Sequence, residues 1–375
     1  MRVFYIGFYD VLEKKDHLRA VPLPGRNKMD YVIKIIEKLC DQLTIVSPCS
    51  AKFGYCSSEN IILSEKTNLI LFKSFGNRSI LVRGINRLLI SLQLFIYLMR
   101  QVKHDDVIIS YHSLATMEVV YLIHKLKRTK VIYEFEEVYA DVVKKQTLKK
   151  KELRIAKSMD AFLFPTIMLN EIVNLDNKPY ILIHGSYQFE PRRDIQRSKD
   201  TIDCVFAGNL ESRKGALEAV QAAQFLPSNY RMKIIGFGSV AEINKIKEEA
   251  YKVSAFSACT VDFDGLKSGE DYIQYLQACD IGLCTQDPDA AFTSTSFPSK
   301  ILSYLSNGLH VVSIRIPAIE GSAVAPFLSF YDCQTPEEIA NAILSVDLHE
   351  KKGVQILNQL SDNFYKEMRE MISML

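Results

Sequence analysis

The stretch "DCVFAGNLESRKGALEAV" (203–220) passes from an apolar run of strand length, through a glycine turn, into a segment with helical periodicity. A glycine after a buried strand lets the backbone approach a ligand, and the free amide groups of the next helix favour an anion. Arg213 and Lys214 stand at the helix start, where the helix dipole disfavours cations. A bound phosphate explains the two bases better than a tight turn alone, which is the alternative.

Apolar runs of strand length alternate with helical segments along the whole chain, as is typical of α/β folds with parallel sheets. The two series are separated by a polar, proline-bearing stretch at 184–200, which is typical of an interdomain linker. We expect two Rossmann-like, doubly wound domains facing a cleft, at 1–185 and 186–355. A C-terminal helix at 356–375 follows, and it could pack back toward the first domain. The predicted strands are 2–8, 43–48, 106–112, 130–135, 161–166, 203–209, 231–238, 258–265, 280–286 and 310–315, and the predicted helices are 28–40, 88–102, 215–226, 240–252, 269–279 and 299–307.

The composition narrows the class of protein. At 375 residues, 48% of them hydrophobic, the chain is long enough for two domains with their own cores. The net charge of +2 gives no general field for a nucleic-acid partner. The eight cysteines are scattered and lack CxxC spacing, which fits reduced thiols in a cytoplasmic protein.

We expect neither a signal peptide nor a membrane-spanning segment. The first ten residues have the pattern of a strand that runs into charged residues, which is not the pattern of a signal peptide. The longest apolar run, at 88–99, is short of the ~20 residues that a crossing needs.

Two further glycine motifs follow predicted strands of the second series. "IIGFGS" ends in Gly236, Gly238 and Ser239 one βα unit after the first motif, so it would line the same edge of the sheet. A lone Gly-x-Gly is weak evidence, because many turns need a positive φ. In "VDFDGL", the backbone at Gly265 and Leu266 could hydrogen-bond a nucleobase.

The stretch "FPSKILSYLSNGLHVVS" (297–313) places Ser299 and Lys300 at a helix start and then continues, after Asn-Gly, into a β-branched run. Taken alone, it indicates only a helix, a turn and a strand. Its own pattern does not explain why a lysine stands just inside the helix.

The order of these motifs resembles that of the second domain of glycosyltransferases with the GT-B fold, in particular glycosyltransferase family 4 and its near relatives. The resemblance covers about 203–313 by motif and the first domain by pattern only. It rests on the glycine-to-Lys-Gly turn, the Gly-x-Gly, the strand before the base-binding loop and the Pro-x-Lys helix. It implies a nucleotide-sugar donor, with a UDP-sugar favoured, and no further cofactor.

The resemblance also implies roles for individual residues. Lys300 and the helix start at Ser299 would face the diphosphate, and the first turns of the helix, with Ser303, would carry the ribose contact. The donor-binding residues that it implies are Asn209, Arg213, Lys214, Gly236, Gly238, Ser239, Gly265, Leu266, Ser299, Lys300 and Ser303.

The chain departs from the family pattern at several positions. Thr295 and Ser303 stand where members usually carry two glutamates that reach the donor sugar and the ribose. Asn209 replaces the usual arginine after the first glycine, although Arg213 could supply that charge from a shifted position. His310 stands where proline is common. These changes leave the fold intact and leave open the donor sugar and the choice between retention and inversion.

In the first domain, polar side chains follow two predicted strands. His112 ends one strand, and Glu134, Glu136 and Glu137 end the next. Carboxylates at this edge could act as a general base or bind acceptor hydroxyls. An acidic run is equally typical of a solvated helix N-terminus, and a histidine there could simply cap the sheet edge. We assign Glu137 and His112 as the candidate catalytic residues.

Two Asp-x-Asp strings, at 262–264 and 287–289, would suit a metal-dependent transferase in which a divalent ion bridges the pyrophosphate. We interpret them as a strand-to-turn sequence and a turn, because two α/β halves fit the GT-B fold. We therefore expect a metal-independent hexosyltransferase, in which positive groups and helix N-termini stabilise the departing diphosphate.

The function that follows is transfer of a sugar from a nucleotide diphosphate to an acceptor hydroxyl, in the assembly of a bacterial surface polysaccharide or another glycan. Two alternatives stay open. One is an inactive nucleotide-sugar-binding scaffold subunit, which the replacement of both glutamates favours. The other is a nucleotide-sugar epimerase of the same fold.

A peripheral membrane contact is a further hypothesis. The apolar helix at 88–102 has basic residues near both ends, and the basic run 144–151 lies in the same domain. Apolar contact and attraction to anionic lipid would hold the first domain at the inner face of the membrane, where the acceptor would be a lipid-linked glycan. Packing against the sheet is the alternative for the apolar helix, and a solvated surface is the alternative for the basic run.

Overall fold

The chain folds into two compact units. Unit 1 comprises Met1–Ser186 and Asn363–Leu375, and unit 2 comprises Tyr187–Asp362. The computed structural model describes residues 1–11, 19–21, 23–76, 79–142, 145–194, 200–290, 293–349 and 353–375. Residues 195–199 of the proposed linker and residue 144 of the basic run lie outside the described residues.

Unit 1 is an α/β structure. Its strands are β1 (Arg2–Ile6), β2 (Gln42–Ser47), β3 (Tyr55–Cys56), β4 (Glu59–Ile62), β5 (Thr67–Leu71), β6 (Ser74–Phe75), β7 (Val107–Tyr111), β8 (Lys130–Glu134), β9 (Ala161–Phe164) and β10 (Tyr180–Leu182). Its helices are α1 (Leu23–Leu39), α2 (Ile80–Gln101), α3 (Met117–Lys127), α4 (Tyr139–Val142), α5 (Gln146–Lys157) and α6 (Ile167–Val173).

The described strands of unit 1 form one sheet in the order β10-β9-β8-β7-β1-β2-β5-β4, and β3 pairs with β6 in a separate ribbon. All neighbours in the large sheet are parallel except β4 and β5. The strand order changes direction at β1, because β2 pairs on one side and β7 on the other. In parallel sheets, such a switch point places the carboxyl ends of two diverging strands next to each other.

Helix α2 begins at Ile80, eight residues before the predicted helix start. Ser79 caps it, since its side chain accepts a hydrogen bond from the backbone of Val82 at 3.2 Å. Ile90, Leu94 and Leu98 recur at a spacing of four residues and lie in the hydrophobic core of unit 1.

The length argument against a membrane crossing is wrong for this helix. The apolar run at 88–99 belongs to the 22-residue helix α2, the one helix in the described part of the chain that is long and apolar enough to cross a membrane. Length and composition are weak evidence for crossing, because the core helix of a soluble protein passes the same test.

Unit 2 is also an α/β structure. In chain order its elements are β11 (Ile202–Asn209), α7 (Ala216–Ala222), β12 (Tyr230–Phe237), α8 (Val240–Phe256), β13 (Thr260–Phe263), α9 (Gly269–Gln277), β14 (Ile281–Cys284), α10 (Ser299–Ser306), β15 (His310–Ile314), α11 (Pro317–Glu320), β16 (Leu328–Tyr331), α12 (Pro336–Leu344) and α13 (Gly353–Met374). The described strands form a parallel sheet in the order β13-β12-β11-β14-β15-β16.

The last part of helix α13 contributes to the core of unit 1. The unit boundary falls inside the helix, after Asp362. Phe364 is 1% exposed, and its ring stacks on Tyr31 of α1 with centroids 5.7 Å apart. Met368 is fully buried in the same helix.

Candidate functional site

The carboxyl edge of the unit 2 sheet has the geometry of a ligand site. Strand β11 pairs with β12 on one side and with β14 on the other, so the strand order reverses between β11 and β14. In open α/β sheets, ligands bind outside the carboxyl ends of the strands at such a reversal. The first glycine motif of the sequence follows β11 and therefore lies at this edge.

Tyr304 of α10 separates the carboxyl ends of β11 and β14. Its hydroxyl accepts a hydrogen bond from the Ala207 backbone at 2.8 Å and donates to the Leu283 carbonyl at 3.3 Å. Gly282 leaves room for the tyrosine ring, since a Cβ there would lie 2.3 Å from it. Direct pairing of β11 with β14 is consequently limited to Cys204 and Val205.

Lys300 projects from the first turn of α10 toward the end of β11. Its Nζ lies 3.6 Å from the centroid of the Phe206 ring and passes beside Gly208, where a Cβ would be in ordinary contact with Nζ at 3.8 Å. Nζ is buried and makes no hydrogen bond to any described residue. Burial, with a smaller contribution from the nearby charge of Lys214, lowers the pKa of Lys300 to about 8. A buried ammonium without a counter-charge is costly, and a bound anion would relieve that cost.

The two bases of the β11 turn have different environments. Arg213 donates from Nε to the Glu211 carboxylate at 2.9 Å, so its charge is already paired on the surface. Lys214 lies close enough to Lys300 to lower the pKa of that amine. Asn209 accepts a hydrogen bond from the backbone of Glu211 at 3.0 Å and holds the turn. The structure thus brings Lys214 and Lys300 together, whereas Arg213 faces its own neighbour.

The glycines of this edge allow a close approach of the backbone. A Cβ on Gly236 would lie 1.8 Å from the carbonyl oxygen of Gly208, so no other residue fits without moving a strand end. The Gly236 amide donates to the carbonyl of Gly265 at 2.9 Å, which places the turn after β13 beside the end of β12. Leu266, the next residue, is 66% exposed.

Ser239 and Gly238 have a local structural role. Ser239 caps α8 in a reciprocal pair with Glu242: the Ser239 amide donates to the carboxylate at 2.6 Å, and the Glu242 amide donates to the Ser239 hydroxyl at 3.3 Å. A Cβ on Gly238 would meet that carboxylate at 2.9 Å. This capping box already uses the groups that were assigned to the donor.

The helix start at α10 holds the remaining predicted donor residues. Ser299 is the first residue of the helix and is exposed. The hydroxyl of Ser303, one turn later, lies 3.0 Å from the Tyr272 hydroxyl of α9. Ser303 therefore has a protein partner at the position where a ribose contact was expected.

Gln286 is a residue of this edge that the sequence reasoning missed. It lies two residues after the end of β14 and is 3% exposed, and its Nε2 makes no hydrogen bond to any described residue. A buried amide donor without an acceptor is unusual in a folded protein. The sequence did contain a signal for Gln286, because the residue ends the predicted strand 280–286 and the ends of these strands meet at the same carboxyl edge.

His112 does not have the position that was assigned to it. Its side chain is fully buried, its ring stacks on Phe135 with centroids 4.1 Å apart, and Nε2 lies 3.2 Å from the Glu152 carboxylate. Burial lowers the pKa of His112 to about 3, so the ring is neutral at pH 7. This placement corrects the assignment, because a core ring cannot touch a substrate here, and it favours a structural role.

The acidic run after β8 divides between the interior and the edge. Glu134 is fully buried and accepts a hydrogen bond from the Tyr5 hydroxyl at 2.8 Å, while its Oε1 has no partner among the described residues. Burial raises the pKa of Glu134 to about 7. Glu136 forms an ion pair with Lys28, which also donates to the Ile183 carbonyl at 3.0 Å.

Glu137 is half-buried and follows Glu136 in the loop between β8 and α4. Burial raises the pKa of Tyr139, and the nearby Glu137 carboxylate raises it further, so the two groups are near neighbours. The structure therefore keeps Glu137 near the surface of unit 1, and its catalytic role stays a prediction.

The described residues contain no group of three or more histidine, cysteine, aspartate or glutamate side chains that could hold a metal ion. In the two Asp-x-Asp strings, Asp264 accepts a hydrogen bond from Tyr275, and Asp287 accepts one from the backbone of Asp289 at 2.9 Å. The second string is thus a turn, as the sequence predicts.

Comparison with known proteins identifies the fold class. No family model matches the chain, and no curated protein matches it. Solved structures do match over its whole length, and their fold is that of GT-B glycosyltransferases with two Rossmann-like domains. The α/β fold class predicted from the sequence is confirmed.

Three of the matching structures show the extent of the similarity. A trehalose-6-phosphate structure from E. coli bound with UDP-2-fluoro glucose matches with a TM-score of 0.69 and 10% identity, over 100% of this chain and 97% of that chain. An α,α-trehalose-phosphate synthase (UDP-forming) from Burkholderia vietnamiensis matches with 0.69 and 10%, over 98% and 96%. HepE from Anabaena in complex with UDP matches with 0.65 and 11%, over 100% of both chains. At these identities the similarity shows the fold alone.

Proposed function

We propose that the protein is a glycosyltransferase that uses a nucleotide diphosphate sugar, with a UDP-sugar as the favoured donor. The observation that carries the proposal is the buried ammonium of Lys300, which has no hydrogen-bond partner among the described residues and stands at the switch point of the unit 2 sheet. The matched structures with bound UDP or a UDP-sugar analogue support the same donor class.

The residues of this edge suit a diphosphate. Lys300 and Lys214 would face its negative charge, and the first turn of α10 would add free amide groups at Ser299. During transfer, the bond between the anomeric carbon and the diphosphate oxygen breaks, and the electron pair leaves with the diphosphate. Cationic groups already in place would stabilise that developing charge without reorganisation.

The acceptor supplies the new bond. Its hydroxyl oxygen would attack the anomeric carbon and lose its proton, for which Glu137 stays the candidate base from the sequence. The proposed acceptor is a glycan hydroxyl in the assembly of a bacterial surface polysaccharide or another glycan, and the proposed location is the cytoplasm at the inner face of the membrane. The hexosyl donor and independence from metal belong to the same proposal.

The test of the donor site is UDP binding by isothermal titration calorimetry. Lys300→Met and Lys214→Met should each weaken binding by about 1.5 to 3 kcal/mol, the value of a hydrogen bond between charged groups. Lys252→Met is the matched control, because Lys252 is exposed on α8, and its affinity should equal that of the wild type. Unchanged affinity in both site variants would exclude this edge as the diphosphate site.

A second candidate function is a nucleotide-sugar-binding subunit without activity. Ser303 favours this function, because it stands where the family pattern has a glutamate. Its hydroxyl is within hydrogen-bond distance of Tyr272 and so already has a protein partner. Release of UDP from a panel of UDP-sugars, with and without glycan acceptors, separates the two functions. Binding without turnover would support the subunit, and conversion of the sugar without transfer would support an epimerase.

A further inference from the structure

One side of helix α2 presents apolar side chains to solvent at helical spacing. Each of five residues on this side is at least 40% exposed, and we call them the α2 stripe: Leu81, Ile85, Leu88, Leu92 and Ile96. The opposite side of the helix packs in the core of unit 1. The helix is therefore apolar on two sides, of which the protein covers one. Contiguous exposed apolar surface of this kind marks an interaction site more often than chance exposure does.

The apolar surface continues beyond the helix at its start. Asn86 of α2 hydrogen-bonds both the amide and the carbonyl of Phe75, at 3.1 and 2.8 Å, and so fixes the β3–β6 ribbon against the helix. The rings of Phe75 and Tyr55 in that ribbon contact each other at a tilt of 47°, with centroids 5.4 Å apart, and both residues are exposed. Phe53, just before the ribbon, is 75% exposed.

The neighbouring helix α3 also carries exposed apolar side chains. Buried residues of α2 and α3 belong to the same hydrophobic cluster, so the two helices cover the same side of the sheet. Leu122 and Leu126 of α3, one turn apart, are 45% and 60% exposed. Exposed apolar side chains therefore occur on α2, on α3 and on the ribbon that is fixed against α2.

The positive charge of this region indicates which kind of partner would bind there. Residues 66–104 contain seven lysines and arginines and no aspartate or glutamate. Arg83 and Arg100 are exposed near the two ends of α2, and Lys73 is exposed after β5. A second copy would bring like charges against each other, with no acidic group on α2 to pair them. An anionic surface with an apolar interior would both attract the basic residues and cover the apolar side chains of the α2 stripe.

We propose that the α2 stripe docks on the surface of an anionic lipid bilayer, with α2 lying in the plane of the interface. The exposed leucines and isoleucines would enter the boundary between headgroups and acyl chains, and the flanking bases would contact the headgroups. Spanning is excluded for the folded unit, because Leu94 and Leu98 on the inner side of α2 are fully buried in its core.

The basic run at 144–151 contributes less to this surface than its sequence suggests. Lys149 pairs with Asp141 at 2.6 Å, and Lys151 pairs with Glu118. Both positive charges are thus balanced within unit 1. The bases that flank α2 are therefore the ones to test.

The experiment is sedimentation of the full chain with vesicles of phosphatidylcholine containing phosphatidylglycerol, across a salt series. Binding should require the anionic lipid and fall with salt. Arg83→Gln with Arg100→Gln should lower the partition coefficient by about 25-fold, at about fivefold for each base near the surface. Lys38→Gln with Lys252→Gln is the charge-matched control, because both lysines are exposed and neither lies in residues 66–104.

The apolar contribution has its own pair of variants. Leu88→Gln with Leu92→Gln should lower the partition coefficient by about tenfold or more. Ile62→Gln with Leu175→Gln, two exposed apolar residues away from α2, should leave it unchanged. UDP binding should be equal in all of these variants, so this test is independent of the donor site.

Two results would overturn the proposal. The first is a protein that stays in the supernatant with anionic vesicles at low salt. The second is a dimer in sedimentation velocity without lipid that Leu88→Gln with Leu92→Gln dissociates, since the stripe would then be covered by a second copy.

Discussion

Replacement of Lys300 by methionine should stabilise the protein without ligand while weakening its binding of UDP. Methionine keeps the length of the apolar stem and removes the charge. Lys300 Nζ is buried, lies over the Phe206 ring and makes no hydrogen bond to the described residues. The ammonium is therefore held at a cost that a bound anion would offset.

The size of the effect follows from two opposing contributions. Burial and the Lys214 charge lower the pKa of Lys300 from 10.5 to about 8. At about 1.4 kcal/mol for each pKa unit, the charged form costs about 3 kcal/mol at pH 7. The contact of the ammonium with Phe206 returns about 1 to 2 kcal/mol. The Lys300→Met variant should thus be more stable by about 1 to 2 kcal/mol at pH 7.

The sign of the pH dependence is determined by the lowered pKa. Between about pH 8 and pH 10.5 the unfolded chain binds more protons at this lysine than the folded chain does, so the wild type gains stability as the pH rises. The variant lacks this gain. Its advantage over the wild type should therefore be largest below pH 8 and should shrink as the pH approaches 10.

The assay is urea unfolding followed by circular dichroism, since the chain contains no tryptophan. Wild type, Lys300→Met and the exposed control Lys252→Met are compared at pH 7 and pH 9.5. A Lys300→Met variant less stable than the wild type at pH 7 would refute the reasoning, because it would show that the surroundings of Lys300 stabilise its charge. An advantage that does not change with pH would refute the assigned pKa.

Three further predictions concern the backbone, a buried acid and metal. Gly236→Ala should destabilise unit 2 by about 3 kcal/mol or more in the same urea assay, because its Cβ would lie 1.8 Å from the Gly208 carbonyl oxygen; Gly265→Ala, with no atom within 4 Å of its Cβ but a φ of 69°, should cost less. Between about pH 4.5 and pH 7 the wild type should lose about 3 kcal/mol of stability, because the pKa of Glu134 is raised to about 7 and the folded protein favours the protonated carboxyl. The Glu134→Gln variant should not show this loss, and parallel pH profiles of the two proteins would contradict the prediction. Glycosyl transfer should persist in excess EDTA, and a loss that manganese or magnesium restores would show that a metal takes part.

The sequence predicts the elements at the carboxyl edge of the unit 2 sheet well because their signal is local. A glycine turn after a buried strand and a lysine at a helix start can each be assigned from neighbouring residues, and parallel strands bring their carboxyl ends to one edge. The roles of Phe206 and Tyr304 could not be predicted in this way. They depend on how far β11 and β14 separate, which is set by a hydroxyl 97 residues along the chain from the amide that it binds.

The first unit shows where the sequence reasoning fails. The start of α2 was placed too late because the helix is apolar on two sides, so the covered and the exposed positions give overlapping periodicities. His112 was assigned to the site because it follows a strand, but the direction of a side chain just beyond a strand depends on the packing around it. Here Phe135 and Glu152 hold the ring inside.

The division of helix α13 between the units bears on the order in which the chain is synthesised. Unit 1 contains the first 186 residues and also the last 13, from Asn363 to Leu375. At 5–20 residues per second, the ribosome needs roughly 10 to 35 s to make the intervening unit before Phe364 can reach Tyr31. During that time the nascent first unit has an uncovered patch around α1. A chaperone that shields apolar surface on nascent chains would find it there, and a stop codon that removes only the last 13 residues would leave it open permanently.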